Sequence, residues 1–438
     1  MVRLDTLSRY TLCMDTVTFI HAADLHLGAP FKGLRSVAPD WADVLLQAIP
    51  EAFRKVISTA LTEQVDFVVI SGDVFDNSRP SYADFSLFIK GLQQLDDAGI
   101  PVYFVTGNHD PYISWDNSFA SLPSNAHLLG ATKPEFICYK RDNRPLALIG
   151  GRGYYTQSWP EKEDISEGIS RETATRELGI YAPFMIGVIH TGLDIDLTRS
   201  PVSPKKLLKR DVDYWACGHV HQPRILPSKD DPRIVYSGCP QGRDMKEEGE
   251  HGIFKVELNS SGNHEVTRKV EFIPTAQVAW QHIALDISEC ATIADIEEKI
   301  ISAEFAYNAQ TRAQRMIFRI TLTGHSSLHT ELNFSVLEDV RSALNDGYPF
   351  FYVDALFNKT LPCMSYKTLR KEGLFPAVYL EAMDGCREEK EAVLLDLEKQ
   401  FYQQDISLPS SLETKYEELC SEAETLVLDL LGQDDKRW

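Results

Sequence analysis

Residues 65–73, Val-Asp-Phe-Val-Val-Ile-Ser-Gly-Asp, and residues 100–110, Ile-Pro-Val-Tyr-Phe-Val-Thr-Gly-Asn-His-Asp, share one design. In each, an apolar run rich in β-branched and aromatic side chains ends on a glycine that is followed at once by residues able to bind a cation. A short apolar run without polar alternation reads as a strand covered on both faces. The stretches 16–22 (TVTFIHA), 184–190 (FMIGVIH), 212–217 (VDYWAC) and 233–237 (RIVYS) read the same way. Between the first two strands Trp41, Val44, Leu45, Ile49, Phe53, Val56, Ile57, Ala60 and Leu61 recur at three- and four-residue steps, which is one apolar helix face. Phe85, Phe88, Leu92 and Leu95 repeat that pattern after the second strand. Strands alternating with helices imply an α/β layered core, whose ligand sites gather at the carboxyl ends of the strands.

Five loops follow these strands and carry ligand chemistry: Asp24-Leu25-His26, Gly72-Asp73, Gly107-Asn108-His109-Asp110, His190-Thr191-Gly192 and Gly218-His219-Val220-His221. Taken singly, each has a plain structural explanation. His190 suits a hydrogen-bonded core histidine, Asn108 a turn, Asp24 a helix cap, and the glycines tight turns. Their ordered conjunction at successive strand ends points instead to one composite site. Carboxylate oxygens with imidazole nitrogens suit Mn, Fe or Zn, and no thiolate pattern competes. A paired-cation site needs a bridging oxygen, for which Asp73 is the natural candidate; two cations roughly 3.5–4 Å apart can clamp a phosphate and stabilise a leaving oxygen. The chemistry expected of such a set is phosphoester hydrolysis.

The set resembles the calcineurin-like metallophosphoesterase superfamily over about residues 16–250, and within it the SbcD-type DNA repair exonuclease branch, especially the YhaO-like group. That resemblance implies a double β-sheet sandwich flanked by helices. It also implies that Asp24, His26, Asp73 and His221 hold one divalent ion and Asp73, Asn108, His190 and His219 the other, the ions being Mn, with Fe or Zn as alternatives. His109 is left to stabilise phosphate charge or protonate the leaving oxygen, with Asp110 orienting it. Gly72-Asp73-Val74-Phe75 followed by Ser78-Arg79-Pro80 is similar to the nuclease-branch signature G-D-x-F-x-x-x-R-P, whereas the G-D-x-V-D-R-G pattern of the protein phosphatases is absent. Many SbcD-type members place a His after the Phe; Asp76 stands here and reads as a turn cap or a residue that tunes the site. Arg79 and Arg243, the latter in Ser237-Gly238-Cys239-Pro240-Gln241-Gly242-Arg243, are candidate phosphate contacts. The resemblance further implies a DNA substrate, an SbcC-type coiled-coil ATPase as partner, and a homodimer through helices near 82–97. No P-loop occurs, so ATP dependence would come from the partner.

Composition bounds these readings. With 438 residues, 43% hydrophobic and 25% charged, the chain is expected to form more than one folded unit. Its net charge of -20 argues against an extensive sequence-independent grip on DNA and favours the alternative of a small-molecule or cyclic-nucleotide phosphodiesterase or phosphatase. Lys205, Lys206, Lys209 and Arg210 form the one compact basic run, either a solvated helix face or a backbone track. The 8 cysteines lack C-x-x-C spacing, no apolar run reaches membrane-spanning length, and no secretory leader is read, so a cytoplasmic protein with reduced thiols is expected.

The expected domains are a disordered or misassigned start at 1–13, a metallophosphoesterase domain at 14–275, an α+β capping domain at 276–372 and a helical partner-binding segment at 373–438. The capping domain reads strand, helix, strand, helix, strand at 281–287, 292–304, 315–323, 333–346 and 349–356. Helices are expected over 376–402 and 410–431, the second opened by a Ser410/Glu413 capping box and striped by Leu412, Tyr416, Leu419, Ala423, Leu426 and Leu430. A non-catalytic scaffold is the third class of function, disfavoured by the full ligand set.

Overall fold

The computed structural model describes residues 15–31, 39–115, 121–160, 163–200, 202–260, 265–347, 351–362, 369–371, 375–402 and 412–434. The expected start segment 1–13, residues 261–264 and Ser410 of the expected capping box lie outside these residues. The chain divides into two compact units, Met1–Gln281 with Asn308–Ile317, and His282–Tyr307 with Phe318–Trp438.

The first unit runs β1 (Asp15–Ala22), α1 (Pro39–Thr62), β2 (Phe67–Ser71), α2 (Tyr82–Asp97), β3 (Val102–Val105), α3 (Tyr112–Trp115), β4 (Ala126–Leu128), β5 (Glu135–Arg141), β6 (Arg144–Arg152), α4 (Arg171–Leu178), β7 (Phe184–His190), α5 (Pro204–Leu208), β8 (Tyr214–Gly218), β9 (Arg224–Pro227), β10 (Pro232–Tyr236), β11 (Gly252–Ser260) and β12 (Val266–Pro274). One six-stranded sheet has the order β12-β11-β1-β2-β3-β4 and the other β5-β6-β7-β8-β10-β9. The strands alternate their side chains between two cores, as the two-residue period requires. Phe67 and Val69 of β2 face Ile186, Val188, Tyr214 and Ala216 of the opposite sheet. Val68 and Ile70 face Phe53, Ile57, Phe88 and Leu92 of α1 and α2. On the outer face of the second sheet, Met185, Ile189, Trp215 and Cys217 pack with Ile165, Ala174 and Leu207. This is the expected sandwich, a sheet pair covered by helices on both outer faces.

Strands β1, β2 and β3 are mutually parallel, as are β7 and β8. Their carboxyl ends therefore emerge at a common edge in each sheet. Strands β4, β5, β6 and β9 were not among the strands read from sequence; β5 and β9 carry charge or proline at their ends and belong to sheet edges. Among the described residues no helix is long and apolar enough to cross a membrane.

A three-stranded sheet β13-β14-β16, most of whose residues belong to the second unit, is formed by β13 (Val278–Asp286), β14 (Arg315–Thr323) and β16 (Phe351–Asn358), which matches the expected strand, helix, strand, helix, strand order. The intervening helices are α6 (Ile293–Asn308) and α7 (Phe334–Gly347), and two short strands, β15 (His325–Ser326) and β17 (Leu361–Pro362), pair beside them. The expected long helix over 376–402 is two helices, α8 (Phe375–Glu388) and α9 (Lys390–Tyr402), interrupted at Glu389. The last helix, α10, spans Tyr416–Asp434 and starts later than expected, because residues 412–415 form a turn. Its buried face is also rotated from the expected stripe: Tyr416, Cys420, Glu424 and Leu428 are buried, while Leu419 and Leu426 are exposed. The cause is an ion pair that apolar periodicity does not register: Glu424 turns inward to meet Arg387 of α8.

Glu304 of α6 is buried and its Oε1 has no hydrogen-bond partner among the described residues. Burial pushes its carboxyl up to about 7. Below the ordinary glutamate range both folded and unfolded states hold the proton, so the residue is neutral in effect. As pH rises toward 7 the unfolded chain ionises first and stability is lost, by roughly 2–3 kcal/mol above that point. Glu304→Gln is therefore expected to raise the denaturation midpoint at pH 8 and leave it unmoved at pH 4, as measured by urea titration.

Candidate metal centre

The five loops meet. The Asp24-His26 loop is laced to the Gly72-Asp73 loop by backbone bonds from Asp24 N to Gly72 O (3.1 Å), His26 N to Asp73 O (3.0 Å) and Leu27 N to Val74 O (2.9 Å). Asp24, His26, Asp73 and His219 all have positive φ, at 51°, 46°, 50° and 99°. Non-glycine residues adopt this left-handed region at a cost that surrounding structure must offset, and such strain concentrates at functional sites. Gly107 is required for another reason: a Cβ there would lie 1.9 Å from Asp73 Oδ1. At Gly218 a Cβ would lie 2.0 Å from the Ser71 carbonyl oxygen. Both glycines let one loop close on the next.

Asp24, His26, Asp73, Asn108 and His190 are buried, and their donor atoms converge. Around Asn108 Oδ1 lie His190 Nε2 and His219 Nδ1, each at 3.2 Å, and His190 Nε2 is 3.4 Å from Asp73 Oδ2. His26 Nε2 is 3.2 Å from His221 Nε2 and 3.7 Å from Asp73 Oδ2. Asp24, His26 and His221 form one cluster and Asp24, Asp73 and His190 another. Two donors bound to one cation at about 2.1 Å each stand roughly 3.0–3.4 Å apart, so these spacings fit shared ions.

The outer nitrogens of the four histidines explain why the inner ones face each other. His190 Nδ1 bonds the Ser71 carbonyl (2.9 Å), His219 Nε2 bonds Asp196 (3.1 Å), His221 Nδ1 bonds Glu247 (2.6 Å) and His26 Nδ1 stands 3.2 Å from Asp76 Oδ1. Each outer contact is with an oxygen acceptor and so calls for an N–H, which leaves a lone pair on the inner nitrogen. Lone pairs on nitrogen aimed at one another and at carbonyl and carboxylate oxygens repel unless a cation lies among them. Burial holds His26 down to about 3 and His219 to about 4, so both imidazoles are neutral at physiological pH. For His190 burial would do the same, but Asp73 and Asp24 beside it push it up to about 9. Burial also works against the Asp73 carboxylate, yet His190 beside it holds it well below the ordinary range. The pocket thus calls for positive charge, which a divalent cation would supply in place of a proton on His190.

Asp196 and Glu247 were not read from sequence. Asp196 lies in a loop of ordinary composition, and Glu247 lies 26 residues from His221, so no local spacing marks either. Asp76 does more than cap a turn: its carboxylate stands beside His26, pairs with Arg243 Nη1 at 3.0 Å, and its carbonyl accepts from His109 Nδ1 at 2.8 Å. His109 is thus oriented by the Asp76 backbone. Asp110, expected to orient it, is committed elsewhere: its carboxylate accepts from the N–H groups of Gly107 (2.9 Å), Val74 (2.9 Å) and Phe75 (3.3 Å), tying two ligand loops together. Burial, with Asp73 nearby, raises the Asp110 carboxyl to about 8.

Arg243 is held between Asp76 and Glu247, with Nη2 3.1 Å from His221 Nδ1. Arg79 is exposed, and its backbone N–H is turned to Asn77 Oδ1. In the basic run, Lys206 and Arg210 share the single carboxylate of Asp164, at 2.7 and 2.9 Å, which offsets one of its four charges.

Buried carboxylate and imidazole donors gather at the carboxyl ends of parallel strands, and residues 17–223 match the calcineurin-like phosphoesterase family. The chain therefore carries a calcineurin-like metallophosphoesterase domain, and residues 280–359 match the middle domain of metallophosphoesterase YhaO. Over 279 residues it is 30% identical to an uncharacterized metallophosphoesterase YhaO of Bacillus subtilis (strain 168), covering 63% of this chain and 64% of that protein. Over 312 residues it is 27% identical to the DNA double-strand break repair protein Mre11 of Aeropyrum pernix, covering 68% of this chain and 67% of that protein. Over 254 residues it is 24% identical to the Mre11 protein of Methanopyrus kandleri, covering 55% and 54%. The matches thus span between about half and two thirds of these relatives' lengths. The domain implies two divalent metals and phosphoester hydrolysis.

If Asp196 and Glu247 fix the ligand histidines, Asp196→Ala and Glu247→Ala will each weaken Mn binding by about 10–100-fold. Calorimetric metal titration reads this directly; unaltered affinity in both variants would remove the two carboxylates from the site.

Proposed function

We propose that the protein is a two-metal phosphodiesterase acting on nucleic acid, a DNA exo/endonuclease subunit that works in repair or recombination in the cytoplasm. The observation that carries the reading is the pairing of a complete inward-facing donor set with one uncommitted imidazole, His109, at its margin. In this reading Asp24, His26, Asp73 and His221 hold one ion, and Asp73, Asn108, His190 and His219 hold the other. When bound, the ions, Mn by preference with Fe or Zn as alternatives, supply Lewis-acid charge to the phosphate oxygens.

The chain's own groups do the rest. Asp73 keeps both histidine groups in register, and its Oδ1 accepts the His109 backbone N–H at 2.9 Å, so the loop bearing His109 is fixed to the ligand loop. The His109 ring stands edge-on to His26 at 4.9 Å between centroids. With Nδ1 bonded to the Asp76 carbonyl, Nε2 is the atom left to meet substrate, and its side chain is 42% exposed. In the imidazolium form Nε2–H stabilises phosphate charge and protonates the departing oxygen.

Resemblance to the Mre11 proteins, named for DNA double-strand break repair, supports the nucleic-acid substrate. An SbcC-type coiled-coil ATPase as partner is supported by Leu419 and Leu426, which α10 leaves exposed. A homodimer through α2 would use that helix's polar face, since Phe85, Phe88, Leu92 and Leu95 are buried in the core. The small-molecule phosphodiesterase reading keeps one specific support: the net charge of -20, with Arg243, Lys206 and Arg210 already paired.

His109→Ala is expected to bind two metal ions as the parent does while losing about 10²–10⁴-fold in hydrolysis. The assay is degradation of end-labelled linear duplex DNA with Mn, run beside a generic phosphodiester reporter. Reporter cleavage without DNA cleavage in the parent would transfer the assignment to the small-molecule reading; full activity in His109→Ala would remove His109 from the mechanism.

A further inference from the structure

After His109 the chain passes through Asp110 and Pro111 into the single turn of α3. That turn is anchored at both ends. Trp115 is buried in the core with its indole N–H donating to the Asp110 carbonyl at 2.9 Å, and Ser114 Oγ donates to the Pro111 carbonyl at 2.6 Å. At its start, Tyr112 N–H donates to the Tyr154 carbonyl (2.8 Å) and Ile113 N–H to the Tyr155 carbonyl (3.2 Å), so α3 is bonded to the segment that follows β6.

These bonds lay the rings of Tyr112 and Tyr155 nearly parallel, 19° apart with centroids at 6.3 Å. Tyr155 is 46% exposed and Ile113 50% exposed. Their neighbour Tyr154 takes the opposite direction: it is fully buried, its hydroxyl meets Ser200 Oγ at 3.0 Å, and its ring stands edge-on to His190 at 5.7 Å. Tyr112 is therefore three residues from His109, and Tyr155 one residue from a side chain packed on a ligand histidine. Through the chain the aromatic pair is thus joined to two loops of the candidate metal centre, on a support held by two backbone bonds.

Several arginines of the neighbouring loops are already committed. Arg243 is paired with Asp76 and Glu247, Arg224 with Asp194, Arg152 with Glu163 and the face of Trp159, and Arg199 Nη1 donates to the Gln157 carbonyl. A phosphate backbone is gripped by free lysines and arginines. A nucleobase needs only a ring face, and every base has one.

We propose that Tyr112 and Tyr155 form a stacking platform for an unpaired nucleobase next to the scissile phosphodiester, so that the substrate enters as single-stranded or frayed nucleic acid. This rests on the phosphodiesterase reading above. Rigid aromatic rings bind at small entropic cost, because the two backbone bonds have already set the orientation of the pair. Ile113 extends the apolar surface beyond the rings.

The test compares kcat/KM for a thymidine dinucleotide with kcat/KM for the abasic dinucleotide of the same backbone, in the parent, Tyr155→Ala and Tyr155→Phe. Tyr155→Ala is expected to lower the ratio of the two constants roughly tenfold, through KM, and Tyr155→Phe to preserve it. A ratio within twofold of the parent in Tyr155→Ala overturns the platform. A parent that cleaves neither substrate overturns the phosphodiesterase reading instead. The platform is then decided by fluorescence polarisation of Mn-loaded protein with oligothymidylate and with an abasic oligomer. Preference for the base-bearing oligomer that disappears in Tyr155→Ala upholds it, and equal binding of both oligomers overturns it.

Discussion

A carboxylate in the interior is tolerated only where other groups answer its charge, and Asp73 is that carboxylate here. One oxygen is held by the His109 backbone N–H and pressed against Gly107; the other looks toward His190 and His26. The remainder of the site is arranged around this arrangement. The left-handed backbone at Asp24, His26, Asp73 and His219 persists because the loop-to-loop bonds and the Asp110 clasp over-determine it. A site so short of positive charge is poorly balanced without a cation, so metal binding and the stability of these loops are linked.

Topology supplies the convergence. Parallel β1, β2 and β3 deliver Asp24, His26, Asp73 and Asn108 from one sheet, and parallel β7 and β8 deliver His190, His219 and His221 from the other. His190 is paired in register with Gly218, so two ligand loops start side by side. Neither sheet holds a complete donor set. The site forms only when the inner faces pack through Phe19, Phe67, Val69, Ile186, Val188 and Tyr214.

A ring of acceptors then sets what the histidines can do. Ser71 O, Asp196 and Glu247 each take an outer N–H and Asp76 stands beside that of His26, so the inner nitrogens face one another with lone pairs. Arg243 pairs with two of those carboxylates, Asp76 and Glu247, and offsets one of their two charges. Behind it, Cys239 Sγ lies 3.1 Å from His251 Nδ1 and 3.9 Å from Glu247 Oε2, closing the interior side of the ring. Arg243, expected as a phosphate contact, is held in this geometry by Asp76 and Glu247.

By itself the sequence determined the strand-and-loop repeat, the ligand types and the order of the modules, because these follow from local hydrophobic period and short motifs. Buried parallel strands announce themselves as unbroken apolar runs, and Gly107-Asn108-His109-Asp110 is contiguous. Edge strands β5 and β9, the rotated face of α10 and the break at Glu389 were illegible, since polar edges and a buried Arg387–Glu424 pair do not follow apolar periodicity. Adjacency in sequence also misled in one place: Asp110 sits next to His109 yet bonds three other backbone amides, while Asp76, 33 residues away, holds the ring. Only the tertiary structure decided which oxygen meets which imidazole, because Asp196, Glu247 and Asp76 reach their histidines through loops from different strands. The same is true of Tyr112 and Tyr155, two ordinary tyrosines until a pair of backbone bonds places them face to face.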